Sequence, residues 1–86
     1  MATPRTKAWR LEGALLLRRW RADAALTQSE TSARIGVDLP RYNAFENGRA
    51  RPGLDHAVKI AEVTDGKVPV ESWTIAVTER EWAKAS

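Results

Sequence analysis

The stretch LTQSETSARIGVDLPRYNAFENGRARP, Leu26 to Pro52, decides how this chain folds. Thr27 and Glu30 make the pattern T-x-x-E. The threonine hydroxyl accepts from the Glu30 N–H while the glutamate reaches back to the Thr27 N–H, a reciprocal cap that starts a helix. The spacing predicts that helix to about Ile35, with a stop at Gly36, a residue that takes a left-handed C-cap without steric cost. Asp38 is the next N-cap, and Leu39 and Pro40 fill the first turn behind it, where a proline's missing N–H removes no bond. This third helix continues through Phe45 to about Asn47, and Gly48 ends it. The stretch is therefore two short helices joined by a tight glycine turn, followed by a basic loop with Pro52 in it.

Upstream, Leu11, Ala14, Leu15, Leu17, Trp20 and Ala24 recur at three- and four-residue spacings, which predicts an amphipathic helix starting near Lys7. Residues 1–6 (MATPRT) read as a flexible basic arm. Downstream, a fourth helix is predicted over about Leu54 to Thr64, with Leu54, Val58, Ile60 and Ala61 as its apolar side. Asp65-Gly66 is a turn signal, and Val68 to Trp73 reads as a short fifth helix introduced by Pro69. In the tail, Thr74 to Val77 has strand-like composition, and Thr78 and Glu81 repeat the T-x-x-E cap ahead of Trp82. The predicted class is all-α: five helices in a domain over 7–73, then a tail over 74–86 that forms a strand or an extra helical turn.

Composition narrows the function classes. A chain of 86 residues suits one small domain. It has no Cys, which excludes disulfides and Cys-ligated metal sites. The longest apolar run, Ala14 to Leu17, is far short of a membrane span, and the N-terminus lacks the apolar stretch of a signal peptide. A cytoplasmic protein with no membrane partner is expected. Net charge is +3, but residues 1–21 hold six Lys and Arg against Glu12 alone, while residues 22–86 are net −2. A basic arm and first helix are consistent with phosphate binding, and equally with a solvated helix face. The lone His56 has no second His or Cys to share a metal, so it reads as a surface histidine. No Ser/His/Asp, Cys/His or paired-carboxylate arrangement stands out; neither an enzyme nor a cofactor is expected.

With these residues in view, the chain resembles the Cro and lambda-repressor class of helix-turn-helix proteins, the Xre class. The resemblance is carried by Trp20-Arg21 through Leu26-Thr27-Gln28, by Ser32 to Asp38, by Tyr42, and by Phe45-Glu46-Asn47-Gly48. LDHAVKIAEVTDGKVPVESW looks like the family's fourth and fifth helices, so the likeness covers about residues 14–73. Two positions depart from the pattern. Ala25 stands where the family has glycine before the second helix, and Ser32 or Ala33 falls where it has alanine.

The resemblance implies a third helix in the major groove of double-stranded DNA, with Leu39, Pro40, Arg41, Asn43 and Ala44 facing base edges. Leu39, Pro40 and Ala44 offer only apolar contact, of the kind that thymine methyls accept. Arg41 suits guanine or, from the helix edge, a phosphate; Asn43 suits adenine or a phosphate. Gln28 at the start of the second helix, Arg49 and Arg51 in the loop after the third, Arg34, and Arg5 and Lys7 of the arm are the implied phosphate contacts. Arg21 and Glu46 are the implied ion pair joining the first helix to the end of the third. Dimerisation is expected through the fifth helix and the tail, represented by Trp73, Ile75, Val77 and Trp82. The implied function is a Cro-like repressor, a homodimer on an inverted-repeat operator, encoded by a bacterium, phage or mobile element and working at the nucleoid. No small-molecule ligand is expected. The alternative is a protein-interaction module, antitoxin-like or accessory, that keeps the fold without specific DNA binding.

Overall fold

The computed structural model describes residues 10–85. In chain order the elements are β1 (Arg10–Leu11), α1 (Glu12–Asp23), α2 (Gln28–Ile35), α3 (Leu39–Glu46), α4 (Leu54–Val63), a 3-10 segment (Val70–Thr74), β2 (Ala76–Val77) and α5 (Glu79–Ala85). The all-α class holds, with a tail that forms both a strand and a short helix. Arg5, Lys7 and Trp9 lie outside the described residues.

The caps form as the spacing requires. Thr27 Oγ1 accepts from the Glu30 N–H at 3.0 Å, and Glu30 Oε1 accepts from the Thr27 N–H at 2.8 Å. Those bonds to the charged form hold the Glu30 carboxyl below its ordinary range. Gly36 closes α2 at φ 90°. Asp38 Oδ1 accepts from the Arg41 N–H at 3.0 Å and starts α3. Ala25, one of the two departures from the resembled pattern, sits at φ 59°, a left-handed conformation that a Cβ makes costly.

The core gathers Leu11, Ala14 and Leu17 with Ile35, Tyr42, Phe45, Ala57, Ile60, Val68, Trp73, Val77 and Trp82. Trp73 fills its centre at 1% exposure. It lies directly on Gly13 of α1, where a Cβ would come within 2.4 Å of the indole. The glycine is therefore a docking notch for the ring. Trp20 is half-buried and packs against this core rather than inside it.

Four expectations are corrected. The first helix begins at Glu12, not near Lys7, because Leu11 is extended (φ −90°, ψ 140°) and pairs antiparallel with Ala76 while Arg10 pairs with Val77. The side of α4 facing the core is Ala57, Ile60 and the following Thr64; Leu54 and Val58 are 71% and 41% exposed. The expected fifth helix is a 3-10 segment. Its main-chain bonds span three residues, from the Ser72 N–H to Pro69 O and from the Ile75 N–H to Ser72 O. The Ser72 and Thr74 hydroxyls also donate to carbonyls three residues back, which competes with α-helical pairing. Finally, His56 is half-buried, its ring 6.2 Å from that of Phe45.

Candidate nucleic-acid interface

Helix α3 has two unlike sides. Tyr42, Phe45 and Glu46 point inward and are at most 2% exposed. Leu39, Pro40 and Arg41 are exposed, and Asn43 and Ala44 are half-buried. The five residues expected to face bases therefore lie together, away from the core. The sides divide this way because Tyr42 and Phe45 are three apart, and Tyr42 and Glu46 four apart, on one helical face.

The inward side is fixed by a polar cluster around the Glu46 carboxylate. Arg21 approaches it with two nitrogens, Nε on Oε2 and Nη2 on Oε1 at 3.2 Å. The Tyr42 hydroxyl donates to Oε2, and Gln28 Nε2 donates to Oε1 at 3.0 Å. Arg21 Nη1 also donates to the Leu26 carbonyl at 3.1 Å. One buried carboxylate thus ties α1, the start of α2 and the end of α3 together. The expected Arg21–Glu46 ion pair is present.

The electrostatics follow from this geometry. Burial alone pushes the Glu46 carboxyl up, but the hydrogen bonds from Arg21, Tyr42 and Gln28 outweigh it and hold the group ionised, below its ordinary range. The hydrogen bond to Glu46 raises Arg21. Burial, with the neighbouring carboxylate, pushes the Tyr42 hydroxyl well above its usual value, so it stays a donor.

Two side chains expected at phosphates have work inside the fold. The Gln28 amide is turned to Glu46. Arg51 Nε donates to the Trp73 carbonyl at 2.9 Å, tying the α3–α4 loop to the 3-10 segment, although the residue remains exposed. Arg34 and Arg49 are exposed. Arg5 and Lys7 lie outside the described residues.

The expected dimerisation set is also redistributed. Trp73, Val77 and Trp82 are buried within the protomer at 1%, 6% and 8% exposure, and only Ile75, at 44%, is on the surface. The cause is the pairing of β1 with β2, which folds the tail back onto α1. Trp82 then lies under Arg10 and Arg18, whose guanidinium carbons are 4.6 and 4.9 Å from its ring centroid.

Sequence reasoning missed three contacts at α3: those of Gln28 and Tyr42 with Glu46, and one from Arg10. Arg10 Nη1 donates to the Asn47 carbonyl at 3.3 Å, at the C-cap of the helix. No local signal marks it, because the partners are 37 residues apart. The Tyr42–Glu46 bond did carry one, the four-residue spacing on a single helix. Among the described residues there is no group of three or more His, Cys, Asp or Glu placed to hold a metal ion. Nor is any helix there long and apolar enough to cross a membrane.

Comparison with known proteins rests on the family level. Searches of curated proteins and of solved structures return no match. A helix-turn-helix family model matches residues 17–69, more than half the chain, and spans the capped α2, the Gly36 turn, α3 and its polar anchor. The chain belongs to the Xre and lambda-repressor-like helix-turn-helix family of DNA-binding regulators.

Proposed function

We propose that this regulator is a Cro-like repressor that binds an inverted-repeat operator as a homodimer, with α3 of each copy in the major groove. The observation that carries the reading is the division of α3. Arg41 and Asn43 lie away from the core, beside apolar Leu39, Pro40 and Ala44, on a helix whose other side is anchored by Glu46. Arg41 has the donor fork for guanine and Asn43 the amide for adenine, and the apolar three suit thymine methyls. Arg34, Arg49 and the free part of the Arg51 guanidinium contact phosphates, which set affinity and register rather than sequence. With the Gln28 side chain turned inward, the phosphate contact at the start of α2 falls to its main-chain N–H groups, favoured by the helix dipole. Arg5 and Lys7 extend the grip along the backbone. Of the four residues expected at the dimer surface, Ile75 is the exposed one that contributes to it.

Selection of bound sites from random duplex DNA tests this reading. The expected product is an inverted repeat with half-site centres about 34 Å apart, roughly ten base pairs. Affinity for it should fall steeply with salt. Recovery of no enriched site, or binding indifferent to salt, would overturn the reading. A second reading, a protein-interaction module, is favoured by one feature: Leu39 is 38% exposed beside exposed Pro40, an apolar start to the helix. Charge reversal at Arg41 and Arg49 separates the two. DNA binding collapses under the first reading, whereas partner binding through the apolar turn persists under the second.

A further inference from the structure

The tail is joined to the reading helix by a short chain of contacts. β2 pairs with β1, and the Glu12 N–H donates to the Ile75 carbonyl at 2.7 Å, which brings α5 alongside the start of α1. Trp82 of α5 is 8% exposed, with the guanidinium groups of both Arg10 and Arg18 at cation–π distance from its ring. Arg10, held over the indole, directs Nη1 to the Asn47 carbonyl. Its stem also rests on Gly48, where a Cβ would come within 2.8 Å of the Arg10 Cβ. A cation there complements the partial negative charge at the end of α3. Asn47 and Gly48 lead directly into the loop that carries Arg49 and Arg51.

We propose that Trp82 and Arg10 form a brace through which α5 fixes the C-terminal end of α3, so that the tail sets DNA affinity without touching DNA. Trp82 and Arg10 are then positioning residues, acting through Asn47 and Gly48 on the reading helix and its basic loop. The inference rests on the reading of α3 as the DNA-contacting helix.

The test uses the full chain and a duplex carrying the site recovered by selection. Trp82→Ala and Arg10→Gln should each lower affinity about threefold to tenfold, the scale of a cation–π contact. Arg10→Lys should recover most of it. The double variant should bind no worse than the weaker single variant, because both changes break one chain of contacts. The slope of log affinity against log salt should stay at the wild-type value, since no phosphate contact is lost. A slope reduced by about one in Arg10→Gln would mean that Arg10 grips a phosphate itself, and additive losses would mean that the two residues act separately; either result overturns the brace. If Trp82→Ala fails to fold, Arg10→Gln and Arg10→Lys decide alone. Amide resonances of Asn47 and Gly48 in the DNA-free protein supply an independent reading. They should shift in Arg10→Gln and return toward wild type in Arg10→Lys, and unchanged resonances overturn the brace. If the wild type binds no selected duplex while these resonances shift, the DNA reading of α3 fails and the physical brace stands.

Discussion

Arg21 and Arg10 both hold the C-terminal end of α3, and the two junctions they form work by different physics. At the first, Arg21 meets a Glu46 side chain that is 3% exposed, and Tyr42 and Gln28 complete the carboxylate's partners. At the second, Arg10 reaches an exposed Asn47 carbonyl at 3.3 Å while resting on Trp82. Breaking the first strands a desolvated charge, whereas at the second the released guanidinium returns to water. The buried junction therefore determines whether the helices pack at all. The outer one adjusts where the end of the packed helix sits.

The largest expected effect follows from removing one partner of the buried pair. Arg21→Met should cost about 3–5 kcal/mol in chemical denaturation, because Glu46 is left without its cation. A loss below about 1 kcal/mol would show that Tyr42 and Gln28 suffice and would erase the contrast between the junctions.

The same pair should give the molecule an acid flank. Glu46 is depressed in the folded state, so its contribution is complete above the unfolded glutamate value of about 4.3 and is lost as pH falls through the lower folded value. Tyr42 is raised, so its contribution is complete below about 10 and is lost as pH climbs beyond it. The stability gap between wild type and Glu46→Gln should therefore narrow as pH drops through the carboxylate range. A gap that does not change with pH would show that Glu46 is not held ionised.

Trp73 is buried in the core and seated on Gly13. Gly13→Ala should destabilise by about 1–3 kcal/mol through overpacking, with a matching fall in thermal midpoint. An unchanged midpoint would mean that the ring shifts freely to admit the extra methyl group. Ala25→Gly should gain about 1 kcal/mol or less, since glycine relieves the left-handed conformation at φ 59°. Any loss there would show that the Ala25 Cβ makes a compensating contact. The smallest effect belongs to the outer junction. Arg10→Gln should cost only about 0.5–1 kcal/mol of stability, the scale of a single cation–π contact near the surface. A cost as large as that of Arg21→Met would show that the outer junction is as essential to packing as the buried one.

The helix ends of this fold are written locally in the chain. Thr27 with Glu30, Asp38, and Thr78 with Glu81 announce helix starts because such a cap is made by side chains and N–H groups three residues apart, and Gly36 announces an end because it takes the left-handed conformation at no steric cost. The spacing of Tyr42, Phe45 and Glu46 likewise separated the inner side of α3 from its outer side. The allotment of the remaining polar and aromatic side chains depended instead on packing between elements distant in sequence. The Gln28 amide turns to Glu46 across 18 residues, Arg51 to the Trp73 carbonyl across 22, and Arg10 to Asn47 across 37. Trp82, which sequence position alone marked for a partner copy, is drawn inward because β2 pairs with β1 and delays the start of α1. Each of these outcomes depends on which elements become neighbours after packing. A long arginine, glutamine or tryptophan side chain suits a phosphate, a carbonyl or a core equally well until a neighbour supplies the partner.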